Sequence, residues 1–263
     1  MSDKPARGGR RGREARKAQR ASTPVAVSPY IKRNIPCTQI LDEEGLQLIE
    51  ANADTILEET GIDFRGHARA LELWKEAGAD VDGERVRIPR GLAHKILKTA
   101  PREFTQHARN PARSVVIGGN NTVFAPVYGA PFVTDMERGR RYGTIEDFRD
   151  FVKLAYLEPN IHHSGGTVCE PVDLPVNKRH LDMVYSHMRW SDKAFMGSVT
   201  APERAADTVE MSGILFGKEF VDQNCVVINL INSNAPLVFD ATMLGAAEVY
   251  AAANQASIIS PFI

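Results

Sequence analysis

The chain has 263 residues, 43% hydrophobic and 25% charged, with a formal net charge of −1, a composition that excludes disorder throughout and supplies enough apolar surface for a large core. No run reaches the roughly twenty continuous apolar residues of a membrane span, and the N-terminus lacks the apolar core of a signal peptide, so a cytoplasmic protein with no membrane partner is expected. Cys37, Cys169 and Cys225 stand far apart without a CxxC pair, which argues against a disulfide framework or a cysteine zinc site and leaves free thiols as the expectation.

In chain order, the first twenty residues set Lys4, Arg7, Arg10, Arg11, Arg13, Arg16, Lys17 and Arg20 against Asp3 and Glu14. Such a Gly/Arg/Ala-rich start cannot pack a core, so residues 1–34 are expected to be a basic, solvated tail and linker. Polyanion binding through the tail is the competing reading, and nucleic acid is not an expected partner. Leu46, Ile49, Ala53, Ile56 and Leu57 recur at helical spacing in residues 42–60, with Gly61 as the stop. HARALELWKEAG and RGLAHKILKTA predict two more helices around a strand-like ERVRIP, and together these give a small α-rich N-terminal region, residues 35–110. SVVIGGNNTVFAP reads as two short strands around a Gly/Asn turn, and FVTDMERGRRYGT as a hairpin turning at Arg138 and Gly139.

From Thr144 helices and strands alternate. TIEDFRDFVKLAYLEP is a helix with Thr144 as N-cap and Asp147 three residues on, followed by strand IHHSGGTV. Helix PVNKRHLDMVYSHMRWS leads to strand KAFMGSV. APERAADTVEMSGILFG, with Pro202 in its first turn, leads to VVINLIN, and FDATMLGAAEVYAAANQ leads to SIISPFI. With TVFAPVYG as the first, these are five candidate strands joined by single helices, hence parallel with right-handed crossovers. No GxGxxG follows the first strand, so an α/β TIM (β/α)8-type barrel is preferred to a doubly wound sheet. An apolar strand with nothing after it is buried only by further elements, so residues 111–263 are expected to be the first part of an incomplete barrel, and the chain to be the front of a longer fold that does not act alone.

In a parallel barrel the strand C-termini carry the site. That rule selects Tyr128, the stretch from Gly165 to Glu170, Ser198 to Thr200, Asn232, Ser233 and Asn234, and Ser260. The amides and hydroxyl of INSNAP can orient a polar or carboxylate-bearing substrate, or equally cap the next helix. His162 and His163 point to opposite faces of a regular strand and cannot share a metal. His163 facing inward with Glu170 or Asp173 is a weak acid/base signal beside the alternative of a packed histidine. Tyr128, Phe132, Phe195 and Phe262 near strand ends suit a cation–π cage or plain core packing. Ser186 and His187 have no carboxylate placed beside them, so hydrolysis by a nucleophilic triad is not expected.

The run GGTVCEPVDLPVNKRHLDMVYSHMRWSDKAFMGSVTAPERAADTVEM, with INLINSNAPLVFD and SIISPFI, resembles the trimethylamine methyltransferase family over residues 35–263. The resemblance implies a TIM barrel that moves a methyl group from a methylated amine to the Co(I) corrinoid (cobalamin) of a separate cognate protein, with no cofactor held directly and a homo-oligomer expected. One branch of that family uses pyrrolysine for trimethylamine, at a position beyond Ile263, and another demethylates glycine betaine or related quaternary amines. The resemblance transfers no catalytic residue to this segment. A metal-dependent barrel hydrolase or lyase using His162 or His163 is the alternative enzyme.

Overall fold

The computed structural model describes residues 31–36 and 38–260. The basic residues 1–20, Cys37 and Phe262 lie outside the described residues.

Helix α1 (Glu43–Thr55) starts where the Asp42 side chain accepts the Gly45 N–H at 2.9 Å, with Glu43 and Glu44 in its first turn. It runs into a π-helical turn, Ile56–Thr60, before Gly61. Strand β2 (Ile62–Phe64), α2 (Ala68–Ala77), β3 (Asp80–Asp82), β4 (Arg85–Arg87) and α3 (Leu92–Leu97) follow. The region expected as α-rich therefore also carries a sheet. Its strand order is β12-β2-β4-β3, and β12 (Val238–Phe239) comes from the far end of the chain and pairs in parallel with β2. Three-residue strands are too short to show alternation, so β2 and β3 left no sequence signal.

The expected SVVIGGNNTVFAP hairpin does not form. Strand β6 (Val115–Gly118) pairs antiparallel with β5 (Glu103–Gln106), and β7 (Asn121–Thr122) pairs with β1 (Ile31–Lys32). Turn chemistry between two runs cannot reveal that each has a better partner elsewhere. The next hairpin does form: β8 (Phe132–Asp135) faces β9 (Gly139–Tyr142). Asp147 fastens it to the following helix, accepting from Arg141 and from the Thr144 backbone and hydroxyl. Thr144 and Asp147 form the expected capping box at the start of α4 (Ile145–Leu157).

The alternating part holds α5 (Arg179–Trp190), β10 (Phe195–Met196), α6 (Pro202–Phe216), α7 (Lys218–Gln223), β11 (Val227–Asn232), α8 (Ala241–Ala252) and β13 (Ala256–Ser260). β10, β11 and β13 form a parallel sheet in that order. IHHSGGTV and TVFAPVYG are not regular strands, yet they extend the row. The Ser164 N–H donates to the Ala194 carbonyl and the Met196 N–H to Gly165, while His162 and His163 both donate to the Phe124 carbonyl. Five segments thus lie side by side in chain order, and no closed barrel is present among the described residues. The main core lies between the sheet and α5, α6 and α8, built on Phe195, Val227, Ile231, Ala205 and Tyr250. No helix among the described residues is long and apolar enough to cross a membrane.

Candidate functional site

Between the C-terminal ends of the first three segments, a cleft of about 40 Å³ opens. This is room for a few waters or one small charged group. Its walls come from Tyr128, from Gly166, Thr167 and Glu170, from Met196 to Thr200, and from the first turns of the two following helices, which contribute Arg179, His180 and Arg204. Two larger grooves, of about 510 and 500 Å³, lie beside α6 and α4 and are lined mainly by aliphatic side chains such as Val209, Ile214, Val127 and Leu154. Of these three, the small cleft is the one that brings polar groups together at the ends of parallel segments, as an α/β site requires.

Two glycines make the cleft. A Cβ at Gly166 would lie 2.6 Å from Tyr128 Cε2 and 2.9 Å from Met196 Cβ, and one at Gly197 would lie 2.2 Å from the Tyr250 hydroxyl. Tyr250 donates to the Ser198 carbonyl at 2.7 Å and so fixes the third strand end. Loss of solvent pushes the Tyr128 phenol above its ordinary value, against a hydrogen bond with Thr167 that lowers it. The charged groups have unequal partners. Glu170 is ion-paired with Arg179. His180 Nε2 donates to Asp207 Oδ2 at 2.7 Å, while its Nδ1 is buried without a hydrogen-bond partner. Arg204 donates to the Thr200 hydroxyl at 2.6 Å.

Of the residues selected from the sequence, Tyr128, Gly166, Thr167, Glu170 and Ser198 to Thr200 line this cleft, and His163, Asn232, Ser233, Asn234 and Ser260 do not. His163 is 1% exposed and spans the core: it accepts the Gly165 N–H at Nδ1 (2.9 Å) and donates from Nε2 to Gln106 Oε1 (3.1 Å). Gln106 in turn donates to the Phe195 and Val226 carbonyls. Burial, with His187 nearby, holds the His163 imidazole down at about 3. His162 accepts the Phe124 N–H at Nδ1 and stacks on the Phe124 ring. Asn234 makes the turn before α8, accepting the Asp240 N–H and donating to its carboxylate. Asn232 and Ser260 face one another across β11 and β13, and the Ser233 N–H donates to the Ser260 carbonyl. The packed-histidine and capping alternatives therefore describe His163 and Asn234. Among the described residues no group of three or more His, Cys, Asp and Glu could hold a metal ion.

Sequence reasoning missed Arg179, His180 and Arg204, because it stopped at the strand ends. Extending the same rule through the first turn of each following helix finds all three. It also missed that His187 accepts from the Ser164 hydroxyl (2.7 Å) and donates to the Gly166 carbonyl (2.8 Å). Both side chains are buried, and the imidazole is held at about 4 by desolvation. The pair shapes the loop that carries Gly166, and His187, which also lines the cleft, has both ring nitrogens engaged.

A model of the family described as trimethylamine methyltransferase (MTTB) matches residues 9–263. The chain belongs to this family. Over 230 residues, 87% of the chain, it is 48% identical to a glycine betaine methyltransferase of Desulfitobacterium hafniense (strain Y51), covering 48% of that protein. Over 173 residues, 65% of the chain, it is 25% identical to a proline betaine:corrinoid methyltransferase of Eubacterium limosum, covering 35% of that protein. The chain thus spans about half the length of the first relative and about a third of the second. Both relatives are named for substrates that join a quaternary nitrogen to a carboxylate.

Proposed function

We propose that the chain serves a methyltransferase that takes a methyl group from a quaternary amine such as glycine betaine and passes it to the Co(I) corrinoid of a cognate partner protein. The supporting observation is the 48% identity, sustained along 87% of the chain, to a glycine betaine methyltransferase.

Elementary chemistry favours a quaternary over a tertiary amine in this setting. A quaternary nitrogen leaves as a neutral tertiary amine: the C–N bond breaks, nitrogen keeps the electron pair, and no proton is required. The cleft suits such a reaction, since Glu170 is committed to Arg179 and the Tyr128 phenol is held in its neutral form. The Tyr128 ring and the apolar Met196 can face the methylated end, with cation–π attraction of about 0.5 to 2 kcal/mol. The corrinoid, when presented by its carrier, supplies the nucleophile that accepts the methyl group. A TIM barrel, with the row of five segments as part of its wall, is the arrangement we propose for the complete site.

The test is to mix the chain with a Co(I) corrinoid protein and glycine betaine and follow loss of the Co(I) absorbance together with formation of dimethylglycine, with trimethylamine in parallel. The same assay is run after adding the C-terminal half of the glycine betaine relative in trans. Cobalt methylation with glycine betaine and none with trimethylamine supports the reading. No methylation with any methylated amine in either format ends it.

A further inference from the structure

We infer that residues 233–240, the connection from β11 to α8, are a strained strap, and that the N-terminal sheet is the clamp that holds it at the C-terminal end of β11. The inference goes beyond the methyl-transfer reading and does not depend on it.

The strain lies in one turn. The Val238 N–H donates to the Ala235 carbonyl at 3.1 Å, which closes a four-residue corner with Pro236 second and Leu237 third. Leu237 has φ +59°, the pattern of a type II turn, whose third position calls for Gly or Asn. In that region a Cβ crowds the backbone. Asn254 is the other non-glycine residue with positive φ among the described residues, and asparagine tolerates it. A corner of the same span forms without this cost when the Pro236–Leu237 peptide turns over and the third residue takes a negative φ. The strap therefore has two arrangements and sits in the costlier one.

Such a conformation persists only where the surroundings fix it. Asn234, Ala235 and Pro236 are exposed, so core packing does not fix this turn. The N-terminal sheet grips its far side. The Asp63 N–H donates to the Leu237 carbonyl at 2.9 Å and the Arg65 N–H to the Phe239 carbonyl at 2.8 Å, so β12 is bonded on both sides of Val238. Phe239 stacks on Phe64, and His67 Nε2 meets Glu248 of α8 at 3.1 Å.

The strap is also tied to itself. The Asn234 N–H donates to the Val238 carbonyl at 2.9 Å, and the Asn234 side chain accepts the Asp240 N–H and donates to the Asp240 carboxylate. The position of β12 on β2 is thereby passed to Asn234 and the end of β11, the side of a parallel sheet where ligands bind. Residues 62–87 contribute no wall to the small cleft; their part is to set the loop after the fourth segment.

Amide hydrogen exchange, followed by NMR on the whole chain, tests this in the parent and in Leu237→Gly, Leu237→Asn and Leu237→Ala. It is read at Asp63 and Arg65 on the clamp and at Asn234 on the strap. Circular dichroism melting checks folding, and Leu237→Asn, which adds less freedom to the unfolded chain than glycine does, carries the result should Leu237→Gly fail to fold. We expect glycine and asparagine to relieve the strain and slow exchange at all three amides together, by about five- to thirtyfold. Leu237→Ala keeps the Cβ and should not slow it. Exchange as fast as in the parent, or faster, in both the glycine and asparagine variants overturns the strain, as does equal slowing in Leu237→Ala. Slowing at Asp63 and Arg65 with Asn234 unmoved overturns the clamp. Loss of folding in both variants overturns the inference as well, since relief of strain cannot unfold the chain.

Discussion

At Gly166 one methyl group separates an open cleft from a closed one. Its Cβ would press on Met196 Cβ, which is fixed to the backbone, and on Tyr128, which can swing away only by leaving the wall it forms. Gly166→Ala is therefore expected to cost about 1–3 kcal/mol in stability and to weaken glycine betaine binding more than tenfold; a variant with the parent melting point and parent affinity would show that Tyr128 is not held there. Nearby, His163 and His187 give the molecule an acid limit. Their folded-state values, about 3 and about 4, lie below the ordinary 6.5 of an exposed histidine. Above pH 6.5 both are neutral, folded or not. As pH falls through 6.5 the unfolded chain takes up protons that the native core refuses, so stability drops by about 1.4 kcal/mol per pH unit for each histidine. By pH 5 the loss is about 2 kcal/mol each. Urea midpoints at pH 7 and pH 5 measure it, and His187→Asn should lose less between the two than the parent; midpoints independent of pH in this window would contradict the assignment. Tyr128 and Glu170 were legible because strand-end position alone selects them. The Ser164–His187 pair was not, since its members lie on different elements and only packing joins them.

Elements carry a different kind of dependence, seen in Lys193. This buried side chain donates from Nζ to the carbonyls of Ala155, Glu158 and Ile161 at 2.7, 2.9 and 2.5 Å. It closes the C-terminal end of α4 and the loop beyond, where the last helical carbonyls lack intrahelical partners. Burial pulls its pKa down to about 8, the cost of bringing a cation there. Lys193→Met keeps the stem and removes the donors, so it should destabilise by about 1–3 kcal/mol through three stranded carbonyls, read as a lower urea midpoint at unchanged slope. A neutral or stabilising result would mean that desolvation of the ammonium outweighs its hydrogen bonds. The opposite end of α4 was fully legible, because Thr144 and Asp147 form a local capping box. Its C-terminal cap was not, because Lys193 arrives from beyond the next helix. The same contrast explains IHHSGGTV: its position after a helix in the alternation placed it in the row, while Gly165 and Gly166 and the side-chain bonds of His163 replace a regular ladder with an irregular one.

For the molecule as a whole, the joint between its two parts is the short strand β12. It leaves β11 by the Asn234 turn and pairs with β2, with the Asp63 N–H donating to Leu237 and the Arg65 N–H to Phe239. Phe239 packs against both the N-terminal core around Phe64, Val86 and Ile88 and the core around Phe195 and Tyr250. Its ring stacks on Phe64 with centroids 5.9 Å apart. A shared aromatic and a shared sheet couple the two cores, so they should melt together rather than in sequence. The chain carries its own probes: of its two tryptophans, Trp74 packs on Phe64 in the first core and Trp190 ends α5 beside the second. Urea unfolding followed by fluorescence in Trp74→Phe and in Trp190→Phe should give coincident midpoints. Phe239→Ala, added to each, should cost about 3 kcal/mol and draw the two curves apart, with the Trp74 signal moving first because the smaller core loses the larger share of its contacts. Separate midpoints without that substitution would show that β12 joins the parts in space but not in stability, and the cleft would then be expected to survive removal of residues 35–97.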